Sequence, residues 1–155
     1  MAEKREYREI KEEHIKEMSK LFAETFNSPP WNDMWTEDTA YKRLHRFYNT
    51  EGFYGLCAYT DDKMCAMILG GMEQYYDGTV FNIKEFAVAN SQRGKGIGSA
   101  LYGELEKRLE EKNVVRIVLL TIRGELTEGF YNKMGFDRSR ETIVMEKEIQ
   151  SCKSV

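Results

Sequence analysis

Gly94, Gly96 and Gly98 alternate with Lys95 and Ile97 in the segment Arg93-Gly94-Lys95-Gly96-Ile97-Gly98-Ser99. A strand-like run, Val80 to Val88, precedes the segment, and an amphipathic helical pattern, Ala100 to Lys112, follows it. Glycines at this spacing let the backbone lie flat against an anion. At a helix start the amide N–H groups lack intrahelical acceptors and point outward, and the helix dipole adds positive potential. Arg93 and Lys95 put formal charge at the rim. The chemistry that these residues offer is a pyrophosphate cradle.

Two phosphate-binding patterns fail on the letters. A Walker loop needs its lysine after the glycines and before Ser or Thr, whereas Lys95 is followed by Gly96. A dinucleotide fingerprint begun at Gly94 leaves Gly98 unexplained and expects an acidic residue ending the next strand, where Thr121 stands. A third pattern, Arg/Gln-x-x-Gly-x-Gly/Ala, is met in full by Arg93, Gly96 and Gly98.

Two blocks in fixed order carry a family resemblance. The first is Ile83-Lys84-Glu85-Phe86-Ala87-Val88 leading into Gln92 to Leu101; the second is Gly129-Phe130-Tyr131-Asn132-Lys133-Met134-Gly135-Phe136. From about Val80 to about Met145 the chain resembles the GNAT superfamily of acyl-CoA-dependent N-acyltransferases. It departs at Gly124, where members often carry Asn, so a cofactor contact from that side chain is not expected here. The resemblance implies acetyl-CoA as acyl donor. The backbone of Phe86, Ala87 and Val88 would run as a ladder along the pantetheine arm, one of their amides polarising the thioester carbonyl. The amides of Arg93, Gly94, Lys95, Gly96, Ile97, Gly98 and Ser99 would hold the pyrophosphate. The acetyl group would pass by direct attack, in a ternary complex, to a primary amine of a small cationic molecule, a peptide or a protein.

Glu85 is the candidate general base. Strand alternation puts it on a face with Phe81, Ile83 and Ala87, and apolar neighbours raise a carboxyl pKa towards useful basicity. The competing reading is a salt-bridged or solvent-exposed strand glutamate. Tyr131 is the candidate general acid, since a phenol with an ordinary pKa near about 10 is protonated at neutral pH and can donate. Against that role, Phe130, Tyr131, Met134 and Phe136 could form a core cluster. For the acceptor side the candidates are Trp31, Trp35, Glu73, Tyr75 and Asp77, with Asp33 and Tyr76 beside them. Aromatic faces with carboxylates suit a cation, such as a polyamine, an aminoglycoside-like sugar or a peptide amine. Each can also be ordinary core edge or surface charge.

The expected fold is α/β (α+β): one domain over residues 1–150, a central mixed and mostly antiparallel twisted sheet flanked by about four helices. Residues 151–155 are a polar tail. Arg5 to Glu9 reads as a first strand, and Ile15, Met18, Leu21, Phe22 and Phe26 mark a helix that Pro29 and Pro30 end. Thr36 reads as N-cap of a second helix sharing Ala40, Leu44, Phe47 and Tyr48 on one face. Strands follow at Gly55 to Tyr59, Met64 to Gly70 and Val80 to Val88. The run Val114 to Leu120 suits a strand covered on both faces. A helix at about Leu126 to Lys133 and a strand at Glu141 to Lys147 close the fold.

The 155 residues, 41% hydrophobic and 32% charged, suit one globular domain. No apolar run marks a signal peptide or a membrane span, so a cytoplasmic location is expected. A net charge of −3 argues against nucleic acid as a direct partner. A two-residue turn at Asp61-Asp62 would set Cys57 opposite Ala66 and Cys65 opposite Ala58, their thiols on opposite faces; Cys152 lies in the tail. His14 and His45 stand apart on helices, and neither disulfide nor metal is expected. Open strand edges are compatible with a homodimer. Beside an acetyltransferase stand the same fold with another acyl group or acceptor, and a non-catalytic CoA-binding module. A kinase- or dehydrogenase-type nucleotide binder is the fourth reading.

Overall fold

Ile15, Met18, Leu21, Phe22 and Phe26 form the buried face of helix α1 (Ile15–Phe26) in the computed structural model, which describes residues 3–151. Helix α2 (Glu37–Tyr48) starts at Thr36, whose hydroxyl accepts from the Thr39 amide while the Thr39 hydroxyl accepts from the Thr36 amide, both at 3.0 Å. This reciprocal cap satisfies two amides that the helix start would leave bare. Ala40 and Leu44 of α2 join the α1 residues in one buried cluster.

Strands β1 (Arg5–Glu9), β2 (Phe53–Thr60), β3 (Lys63–Tyr75), β4 (Gly78–Val88) and β5 (Val114–Leu119) lie side by side in that order. The first four pair antiparallel and β5 pairs parallel to β4, so the sheet is mixed and mostly antiparallel, as expected. A parallel step needs a crossover, and helix α3 (Ile97–Glu111) supplies it. Cys57, Tyr59, Met67, Leu69 and Ala87 pack with α1 and α2 on one face. On the other face α3 buries Ile97, Leu101, Leu105 and Leu109 against β2 to β5.

Two extra residues redirect side chains. The β2–β3 turn is Asp61-Asp62, both at positive φ (50° and 64°), as a two-residue hairpin of the I′ kind requires. After Tyr59↔Met64 the register moves to Ala58↔Ala66, so Cys65 is the extra residue of a bulge. Cys57 therefore stands opposite Met67 rather than Ala66. Both thiols are free, and that of Cys65 donates to the Ala58 carbonyl at 3.4 Å. Cys152 lies outside the described residues.

The second bulge matters more. Leu69↔Glu85 is followed by Gly70↔Ile83, leaving Lys84 without a counterpart. One extra residue flips every side chain beyond it to the other face. Glu85 shares the α1/α2 face with Leu69 and Ala87, while Phe81 and Ile83 point to the α3 side; the expected grouping of all four is corrected. Gly70 admits this geometry, since a Cβ there would sit 2.1 Å from the Asn82 carbonyl oxygen.

The chain divides into two compact units between Thr121 and Ile122. All five strands belong to the first. There β5 is less covered than its apolar run implied, with Val115 58% and Val118 36% exposed. Among the described residues it pairs with β4 alone, at one edge of the sheet, and within its unit α3 packs on it. The second unit contains helix α4 (Glu128–Lys133), shorter than the expected Leu126 to Lys133. Residues 141–147 form no strand, against expectation. The Ser139 hydroxyl accepts from the amides of Glu141 and Thr142 and bonds the Thr142 hydroxyl, a local arrangement that competes with a ladder. Met145 is 85% exposed there. No helix among the described residues is long and apolar enough to cross a membrane.

Candidate functional site

Glycine chemistry shapes the turn between β4 and α3. Gly94 and Gly96 take φ of 78° and 75°, a region that side-chain-bearing residues rarely adopt, and Gly96 is the N-cap of α3. The helix begins at Ile97, three residues before the expected Ala100, so Gly98 and Ser99 lie in its first turn. Ala100 donates the first helical bond, to Gly96, at 3.1 Å. The amides of Ile97, Gly98 and Ser99 thus precede the bonded helix and face its N-terminal end. A Cβ built at Gly94 or Gly96 meets no atom within 4 Å, so the space over the turn is open to an anion. Lys95 is exposed on the rim. Arg93 is tied back: its Nη1 donates to the Pro29 carbonyl at 3.3 Å, and its guanidinium lies 5.5 Å over the Trp31 ring.

The strand feeding this turn outruns its neighbour. The register between β4 and β5 runs from Thr79↔Val114 to Ile83↔Leu119, whereas β4 continues to Val88. Ala89 donates to the Cys65 carbonyl of β3 at 2.8 Å. By the two-residue alternation of an antiparallel ladder, Phe86 and Val88 turn their backbone groups to the edge away from β3. Thr25 of α1 donates its hydroxyl to the Val88 carbonyl at 3.4 Å on that side. An extended backbone edge therefore leads into the glycine turn.

Glu85 is 8% exposed on the α1/α2 face. Arg43 of α2 donates through Nε to Glu85 Oε1 at 2.5 Å. Burial pushes the Glu85 carboxyl above its ordinary value, the Arg43 guanidinium draws it back, and Asp33 pushes it up again; the net direction is upward. The Arg43 guanidinium stacks 4.9 Å over the Phe47 ring and 5.8 Å over the Trp35 ring. Trp35 donates its indole N–H to Asp33 at 3.0 Å and packs edge-on to Phe22 at 4.8 Å. Of the expected acceptor-side residues, Trp35 thus meets Arg43, the partner of Glu85, while Trp31 sits by Arg93. Glu73 and Tyr75 do not join them. Glu73 lies four residues beyond Leu69, the partner of Glu85, or about 13 Å along the strand. Tyr75 ends β3 beneath the Arg116 guanidinium, 5.8 Å away, and Asp77 is in the adjacent turn.

Arg43 had no signal of its own in the sequence. A lone arginine on an amphipathic helix reads as solvated charge, and only its place one residue before Leu44 and four before Phe47 puts it at the edge of the buried stripe.

In the second unit Tyr131 lies on α4 between Phe130 (5.5 Å) and Phe136 (5.7 Å), both edge-on. Its carbonyl accepts from Met134 and Phe136, a helix end completed by Gly135 at φ 95°. Gly124, where Asn is common in the family resemblance, has φ 144°, and its carbonyl accepts from Thr127 and Gly129. A side chain would be strained at that φ, so the backbone itself accounts for the glycine. Among the described residues no group of three or more His, Cys, Asp or Glu is placed to hold a metal.

A sequence profile of the acetyltransferase (GNAT) family matches residues 15–136. The chain belongs to that family. Its fold recurs in a possible acetyltransferase from Clostridium difficile 630, with 16% identity, a TM-score of 0.80, and 94% of this chain and 99% of that one covered. The aminoglycoside N-acetyltransferase AAC(6')-Iy, solved in complex with CoA, aligns at 14% identity and TM-score 0.73 over 95% of this chain and 97% of its own. A ribosomal-protein-alanine N-acetyltransferase from Brucella melitensis biovar Abortus 2308 gives 16% identity and TM-score 0.73, covering 94% and 100%. At such identities these likenesses establish the GNAT fold. Their acceptors belong to those proteins.

Proposed function

We propose that this GNAT protein is an acetyl-CoA-dependent N-acetyltransferase acting on a primary amine of a small molecule or peptide, by direct attack in a ternary complex. The observation that carries the reading is the glycine turn: left-handed Gly94 and Gly96, clear space above them, and the first amides of α3 at the end of a strand that outruns β5. Those features fit a pyrophosphate followed by an extended arm. Arg93 to Ser99 would hold the first, and the backbone of Phe86, Ala87 and Val88 would line the second. The profile match over residues 15–136 runs through both compact units, which supports one functional domain over residues 1–150.

Bound acetyl-CoA would supply the electrophile: its C–S bond breaks as a C–N amide bond forms, and free thiol leaves. The residues of the chain handle protons and charge. Glu85, a buried carboxyl of raised pKa, takes the proton that the amine must lose, directly or through a water. Arg43 holds that carboxylate in place and steadies its anionic form. Tyr131 is the proton donor.

Free-thiol release from acetyl-CoA across polyamines, aminoglycosides, amino acids and peptides tests the reading, with Tyr131→Phe as control. One amine class well above background hydrolysis, lost in the variant, is the expected result. A flat panel despite thermal stabilisation by acetyl-CoA would reduce the protein to a CoA-binding module or point to a protein acceptor.

A further inference from the structure

Trp35, Asp33 and Glu85 are an aromatic–carboxylate group of the sort that recognises a cation, and the fold already fills it with one. The Arg43 guanidinium sits over Trp35 and Phe47 and bonds Glu85. The Asp33 carboxylate accepts the Trp35 indole N–H, so it too is engaged. A polyamine or aminoglycoside arriving here would meet a fixed positive charge before it met either carboxylate.

Arg43 spends only Nε on Glu85. Among the described residues neither of its terminal nitrogens, Nη1 and Nη2, has a partner, and the side chain is 41% exposed. A guanidinium carries five N–H donors in a rigid plane. Held by Glu85 through one edge and by two rings across its face, it keeps the terminal Nη1/Nη2 edge for an anion. That edge matches a carboxylate bidentately.

We infer that Arg43 is the specificity residue of the acceptor site, and that the acceptor is an amine bearing a carboxylate, of the amino-acid class, held through Nη1 and Nη2. This rests on the reading of Glu85 as proton acceptor. The zwitterion is matched in charge: its ammonium faces Glu85 and its carboxylate faces Arg43. The aromatic rims of Trp35 and Phe47 then hold the guanidinium rather than the substrate.

Matched acceptors that differ only at the carboxylate test this: an amino acid, its amide and its decarboxylated amine, assayed by thiol release on the wild type, Arg43→Lys and Arg43→Gln. Wild type is expected to prefer the free acid. Arg43→Lys keeps a cation beside Glu85 but loses the fork, so KM for the acid should rise about tenfold to hundredfold, beyond any change in kcat that the acid shares with the amide and the plain amine. The amide and the plain amine should show no such rise. Equal or better turnover of the plain amine by wild type overturns the inference and leaves the acetyltransferase reading standing. If no amine is turned over, the reaction reading fails instead, and thermal stabilisation by an N-acetyl amino acid with CoA decides the carboxylate site. Stabilisation by the acid but not its amide, abolished in both variants, supports the site; equal stabilisation by acid and amide, or by neither, overturns it.

Discussion

A carboxyl pushed upward by burial ties Glu85 to both stability and catalysis. The native state holds its proton more tightly than the unfolded chain, whose ordinary value is 4.5. The protonated form thus contributes stability that is fully present below about pH 4.5 and lost as pH rises through the raised native value. Glu85→Gln has no such slope. Its stability relative to wild type, measured by urea unfolding, should therefore improve between about pH 4 and pH 7. Losing the partner of Arg43 lowers the variant at every pH and leaves that trend intact. In turnover the same variant should lose about a hundredfold or more, most of it at the acidic end where the amine is protonated. An unchanged pH–rate profile would remove Glu85 as base. Residue type and strand position mark Glu85 in the sequence, yet the face it shares is not legible there, because a bulge at Lys84 leaves no trace in composition or alternation. Arg43 is hidden for a related reason: an arginine beside a buried stripe reveals its partner only when strand and helix are packed.

At the scale of elements, α3 offers the same substitution with two signs. Gly96 is its N-cap at φ 75°, whereas Gly103 is an exposed helical residue with nothing within 4 Å of the point where an added methyl would stand. Gly103→Ala should stabilise by roughly 0.5–1 kcal/mol through helix propensity. Gly96→Ala should destabilise by about 1 kcal/mol, since a left-handed backbone costs an L-residue that much. Urea midpoints for the pair read both signs. Only Gly96→Ala should also weaken acetyl-CoA binding, because it adds a methyl where the anion is proposed to lie. The amphipathic stripes of α1, α2 and α3 were legible because each faces a single layer. Two boundaries were not. Gly98 reads as loop although it lies within the first turn of a helix, and residues 141–147 read as strand while the Ser139 hydroxyl takes their leading amides.

For the whole molecule, the choice between a CoA-dependent enzyme and a nucleotide binder is a linkage question. A ligand at a hundred times its dissociation constant adds about 2.7 kcal/mol to the stability of the state that binds it. For a chain of this size 1 kcal/mol is worth roughly 2–4 °C, so saturating acetyl-CoA should raise Tm by roughly 5–11 °C. ATP and NAD share the diphosphate and lack the pantetheine arm. They can engage the glycine turn but not the edge of β4 beyond Ile83, and at equal concentration their shifts should be much smaller. A shift from ATP or NAD equal to that of acetyl-CoA would mean that the turn alone binds, and that the β4 edge has no part in recognition. Arg43→Lys alters a contact to the Glu85 side chain and leaves the glycine turn and the backbone edge of β4 untouched. It should keep the full acetyl-CoA shift even as it loses the acid-bearing acceptor, which separates cofactor binding from acceptor choice in one protein.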